Sequence, residues 1–249
     1  AVTGDRIRLQ FKLNDAPMGS EIDDCRRRKI CVSVDAMDEI AAVEVLRNGR
    51  VAHREFVPTV LPEDPFAGGP CKLRIQWGWG PWSSLQMARV CEWAGEIALD
   101  GGDLLGATPV FQSGPCEENL RDRLLDVNTC GLRFESFTSR RDAFNEDPTK
   151  GVVLEIDGTP ETRVTIRGGR PGAFRIERTL AELMASSASA FTGPFTSESV
   201  LVHRLLTPES YGLDFAWSDE RDGSGVDYYM VRVTQRNGQT AWSSPVWVG

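Results

Sequence analysis

Arg6-Ile7-Arg8-Leu9-Gln10-Phe11-Lys12-Leu13 alternates polar and apolar without a break, which predicts a strand with Ile7, Leu9, Phe11 and Leu13 on its buried face. The same period returns at the other end of the chain. Tyr229, Val231 and Val233 alternate with Met230, Arg232 and Thr234, and beyond Asn237-Gly238 the sequence runs back through Ala241, Trp242, Val246, Trp247 and Val248. The pattern predicts a β-hairpin over 226–248 with a type I′ turn at Asn-Gly, where both central residues need positive φ. An isolated hairpin is marginal in water, so this one must be clamped into a larger sheet, and the chain closes its fold with its own end.

Between the two ends, short apolar runs alternate with turn signals. Strands are predicted at 29–34, 71–79, 93–99, 130–137, 174–178, 200–206 and 213–217, with a second Asn-Gly hairpin joining 43–46 to 51–56. Asp100-Gly101-Gly102-Asp103 reads as the turn that ends the 93–99 strand. Asp157-Gly158-Thr159-Pro160 reads as a tight connection between strands at 152–156 and 162–167. Two stretches have helical character: 117–125, and Thr179 to Ala185, where Thr179 and Glu182 have capping-box spacing. The fold class is therefore all-β, an antiparallel β-sandwich architecture of one large or two small sandwiches with one or two short helices. Two lobes would divide as 1–125, holding a tryptophan cluster, and 126–249, closed by the hairpin; one continuous domain is the alternative.

The chain of 249 residues, 41% hydrophobic and 26% charged, can bury a substantial core. Its net charge of −8 argues against a nucleic-acid partner, which needs a basic stripe. The one basic run, Arg26-Arg27-Arg28-Lys29, follows Glu21, Asp23 and Asp24 and reads as a solvated, partly self-neutralised loop. No apolar run approaches the roughly 18 residues of a membrane span. Six cysteines (25, 31, 71, 91, 116 and 130) are compatible with three disulfides in an exported protein, and equally with buried free thiols. The chain begins Ala1-Val2-Thr3-Gly4 without an initiator Met and reads as an excised or processed piece. A periplasmic or secreted location is the expectation, with the cytoplasm left open.

Four of the seven tryptophans, Trp77, Trp79, Trp82 and Trp93, crowd one region. Two readings stand: the rings plug a sandwich core, or they form an exposed ligand platform on which sugar rings stack. Catalytic signatures are missing. There is no GxSxG elbow, P-loop or HExxH. Asp100 and Asp103 lack the spacing of an EF-hand loop, and a CxxC pair for zinc is absent. His53 and His203 lie far apart on predicted strands, where structural roles are expected.

DYYMVRVTQRNGQTAWSSPVWV at the C-terminal end and AVTGDRIRLQFKLNDAPMGSE at the N-terminal end, with VEVLRNGRV, QWGWG and EWAGEIALDGG more loosely between them, resemble a large bacterial family, domain of unknown function 3604. Its longer members carry a PHP-like (polymerase and histidinol phosphatase) metallohydrolase region first. The resemblance implies a β-rich, non-catalytic C-terminal region that partners an upstream catalytic domain. Any divalent metal would be held there by clustered His and Asp, beginning with an HxH strand. This chain has no HxH. No catalytic or metal-binding residue is therefore carried over, and no cofactor is expected in this chain. The alternative function is a carbohydrate-binding module using the Trp77–Trp93 cluster.

Overall fold

A computed structural model describes residues 2–3, 5–57, 63–79, 90–111, 121–139, 149–192, 198–220 and 225–249. Strands β1 (Val2–Thr3), β2 (Arg8–Leu13), β3 (Ala16–Pro17), β4 (Glu21–Ile22), β5 (Arg27–Asp35), β6 (Ile40–Arg47) and β7 (Arg50–Glu55) come first. They are followed by β8 (Cys71–Trp79), β9 (Val90–Val110), β10 (Arg123–Asn128), β11 (Gly131–Ser139), β12 (Lys150–Arg170) and β13 (Phe174–Thr179). Helix α1 (Leu180–Ala185) leads to β14 (Ala188–Phe191) and β15 (Ser199–Val202). The chain ends with α2 (Pro208–Tyr211), β16 (Gly212–Glu220), β17 (Asp227–Gln235), β18 (Thr240–Trp242) and β19 (Val246–Val248). The protein is all-β and sandwich-like, as the alternation predicts. Among the described residues no helix is long and apolar enough to cross a membrane.

The strands fall into two compact units, and the division is not 1–125 against 126–249. Residues 1–65 and 208–249 make one unit, and residues 66–207 make the other, inserted between them. The cause is pairing between the chain ends. β1 pairs with β18, placing Val2 opposite Trp242, and β19 runs parallel to β4, placing Trp247 opposite Glu21.

In the terminal unit, β17 is the central strand of one sheet. It pairs with β6 on one side and with both β18 and β19 on the other, so the predicted hairpin is clamped as expected. The second sheet runs β16-β5-β2-β3. Leu9, Phe11, Ile30 and Val32 from that sheet and Val43, Tyr229, Val231 and Val246 from the β17 sheet are buried. The Asn48-Gly49 turn has positive φ at both residues, 51° and 76°, as type I′ requires. The second Asn-Gly differs. Only Gly238 is left-handed, at φ 84°, and Gly238 N–H donates to the Gln235 carbonyl, giving a type I turn with a glycine bulge.

The inserted unit is one sheet built on β9 and β12, each 21 residues long and paired with the other along most of their length. The two predicted turns are bends within these strands. Gly102 faces Gly158 and Asp103 faces Asp157 across the ladder; β12 then bulges out over 159–162 opposite Gly101, and pairing resumes at Arg163 opposite Asp100. A Cβ on Gly102 would lie 2.8 Å from the Asp157 carbonyl oxygen, so the close approach of the bent strands requires glycine there. The bend lets different strands flank each half. β8 pairs with β12 over 150–156, while β13 and β11 flank the 163–168 and 90–98 segments. Leu73, Ile75 and Leu154 from one half share a core with Ile97, Phe134 and Ile166 from the other. Helix α1 caps this unit: Thr179 accepts from Glu182 N–H and the Glu182 side chain accepts from Thr179 N–H, the expected capping box. The helix expected at 117–125 does not extend into 123–125, which belong to β10 and pair with β11; residues 117–120 lie outside the described residues.

Candidate functional site

The tryptophans expected to form a ligand platform separate on inspection. Trp77 is 0% exposed and Trp93 is 1% exposed. Trp77 lies in phase with Cys71, Leu73 and Ile75 on the core side of β8 and stacks on Phe134, with ring centres 4.3 Å apart. Trp93 meets Phe174 edge-on, and its indole N–H donates to Thr138 Oγ1 at 2.9 Å. Thr138 in turn donates to the buried Glu198 carboxylate at 3.0 Å. Rings enclosed in this way have no face to offer a sugar, which corrects the platform reading for these two residues. Trp79 ends β8 with its side chain outside the described part, and Trp82 lies outside the described residues.

The same strands do build a recess, on the opposite side of the sheet. Arg133, Glu96 and Arg167 stand in one cross-strand row over β11, β9 and β12. In the next row Ala94 lies opposite Glu135, and a bulge at Gly169 replaces a side chain with bare backbone: Gly168 faces Gly95, Arg170 faces Ala94, and Gly169 is the extra residue. A Cβ built on Gly169 meets no atom within 4 Å. The outcome is an open trough of about 390 Å³ with Ala94, Gly95, Gly168 and Gly169 along it and Arg133, Glu135, Glu96 and Arg167 around them. Gly95 and Gly168 are needed for a different reason, since a Cβ on either would come within 2.6 Å of the Phe134 or Phe174 ring.

The walls of the trough are ion pairs. Arg167 donates to both Glu96 oxygens at 3.0 and 3.1 Å, Arg133 meets Asp126 at 3.0 Å, and Arg123 pairs with Glu135. Exposed pairs of this kind contribute little to stability, so their donors and acceptors can be shared with a ligand. Their charged donors and acceptors can recognise a hydrogen-bonding molecule.

The terminal unit holds a buried charged network that the sequence reading missed. Arg28, expected in a solvated loop, is 0% exposed inside β5. It bonds Asp227 and donates to Tyr229 Oη at 2.9 Å. Tyr229 donates to Asp219 at 2.7 Å, and Arg47 reaches Asp227 at 3.0 Å and Asp219 at 3.3 Å. Burial alone would raise the Asp227 carboxyl, but hydrogen bonds from Arg28, Arg47 and Asn48 outweigh it and bring it down to about 2. Burial, with the neighbouring Asp219, pushes the Tyr229 phenol up to about 12. These groups therefore keep one charge state across the neutral range and act as a clasp between β5 and β17.

Both histidines have structural partners. His53 stacks on Trp217 with ring centres 5.0 Å apart and bonds Glu55 at 2.9 Å. His203 bonds Gln76, and burial followed by the charge of Arg74 lowers it to about 4. They belong to different units, and among the described residues no group of three or more His, Cys, Asp or Glu gathers to hold a metal. Cys25, Cys31, Cys71, Cys91 and Cys130 stand outside any disulfide, so three disulfides do not form; Cys116 lies outside the described residues. Comparison of the chain with family models, with characterised proteins and with solved structures finds no match.

Proposed function

We propose that this chain is the non-catalytic, β-rich C-terminal region of a PHP-like metal-dependent hydrolase-family protein, bracing an upstream catalytic domain or completing one wall of its substrate cleft. One observation carries this reading. The two segments that resemble that family most sharply, at opposite ends of the sequence, fold together. Besides the β1–β18 and β4–β19 pairs, Gly19 N–H donates to the Pro245 carbonyl at 2.9 Å and Gln235 Nε2 donates to Asp5 at 2.8 Å. What looks like two separate resemblances in the sequence is one folded unit, with the more loosely resembling middle inserted into it. The trough suits a wall: its paired arginines and glutamates offer charged donors and acceptors to a bound molecule.

The test is turnover and metal content of the purified chain. With Mn2+ or Zn2+ added, a generic phosphodiester and phosphomonoester should be hydrolysed no faster than by the metal alone, and dialysis should leave no stoichiometric metal. Metal-dependent turnover that co-purifies with the folded chain, and is abolished by chelation, overturns the reading.

A further inference from the structure

Exposed aromatic rings do occur in this protein, though not where the tryptophans cluster in sequence. Along β17 the odd positions from Asp227 to Gln235 are buried, and Tyr228, Met230, Arg232 and Thr234 face outward. Trp247 lies opposite Tyr228 and is 41% exposed; the two ring centres are 4.9 Å apart at an interplanar angle of 44°. Val226, at the edge of the same pair of strands, is 64% exposed. Four residues along β17, about 13 Å at strand rise, Arg232 lies opposite Trp242 with its guanidinium 5.1 Å from that ring centre. Glu44 accepts from Arg232 Nε at 2.6 Å and from Arg54 Nε at 2.9 Å. Stacking and ion pairing hold Arg232 in one orientation while leaving some of its five N–H donors for other partners.

We propose that this outward face of the β17 sheet binds a linear neutral glycan, with one sugar ring seated on Trp247 and Tyr228 and a neighbouring unit hydrogen-bonded by Arg232. The pattern of the surface selects this occupant. A protein partner would want an apolar centre depleted of charge, whereas here a ring pair gives way within one strand to an ion-paired row. A glycan has the matching alternation, with C–H faces that stack on aromatic rings and hydroxyls at their edges. The charges also decide against an acidic polymer. Arg54 and Arg232 are balanced by Glu44 and by Glu21, which lies opposite Trp247 in the ladder and would repel a uronate there. A single sugar does not span the distance from Trp247 to Arg232, while a short oligosaccharide does. This site goes beyond the bracing role and does not depend on it.

Affinity electrophoresis of the whole chain in gels containing a soluble β-glucan, a xylan or a galactomannan, with polygalacturonate alongside, tests the proposal. At least one neutral polysaccharide should retard the chain, and Trp247→Ala should weaken that retardation about tenfold, the equivalent of about 1.4 kcal/mol. Tyr228→Ser, which leaves Trp247 in place, should also weaken it, with both variants keeping the wild-type thermal midpoint. Absence of retardation in all three neutral gels overturns the proposal, as does retardation that survives both substitutions, or binding confined to polygalacturonate. None of these outcomes bears on the hydrolysis assay, so the two readings fail separately.

Discussion

Arg28 shares the phase of Ile30, Val32 and Val34 along β5, just as Asp227 shares the phase of Tyr229, Val231 and Val233 along β17. Period-two phase is thus the signal that locates the buried ion pair, and a basic run in the sequence hides it. Phase also sorts the tryptophans: Trp77 follows Leu73 and Ile75 inward, while Trp247 stands between inward Val246 and Val248. Removing one partner of a buried pair strands the other charge, so Asp227→Ala should cost about 3–5 kcal/mol in urea unfolding. Arg28→Met combined with Asp227→Leu should cost less than the two single changes together. Asp227 is held near 2 against an ordinary 3.8. Its contribution is complete above about pH 4 and is lost as pH falls toward 2, roughly 2 kcal/mol in all. His203 acts earlier. Its folded value of about 4 against 6.5 means that the unfolded chain takes up a proton the native state refuses. Stability should therefore fall between pH 6.5 and pH 4, by up to about 3 kcal/mol, and denaturation midpoints of His203→Gln should lack that limb.

At the scale of elements, strands with one wet face were legible because alternation is a local property; β2, β5 and β17 are read directly from it. The bends of β9 and β12 were not. Asp-Gly-Gly-Asp is the same string whether the chain reverses or kinks and continues, and only the facing glycine on the partner strand decides. That partner, Gly158 for Gly102, lies more than fifty residues away. The trough was illegible for a similar reason, since it needs Ala94 and the Gly169 bulge side by side on neighbouring strands. The two kinds of glycine are separable by substitution. Gly102→Ala forces a Cβ against the Asp157 carbonyl and should cost about 1–3 kcal/mol, lowering the thermal midpoint. Gly169→Ala enters open space and should leave the midpoint within about 0.5 kcal/mol of wild type.

For the whole molecule, the nested arrangement separates two kinds of dependence. The core of the inserted unit, from Cys71 to Leu205, is drawn entirely from residues 66–207, so that segment expressed alone should give a cooperative unfolding transition with the near-ultraviolet signature of packed Trp77 and Trp93. A chain truncated before β18 should keep that transition and lose the terminal unit's slowest-exchanging amides in β6 and β17. Order of synthesis makes the difference consequential. When the ribosome has made β5 and β6, their partners β16 and β17 do not yet exist, and the whole inserted unit emerges in between. For that interval the early strands carry bare edges, which invite pairing with other chains. The wait ends only when β16 and β17 have been made, so a chain released before Asp227 can never end it. A copy lacking β16 and β17 thus carries the bare edges of β5 and β6 as a mark for chaperones and proteases.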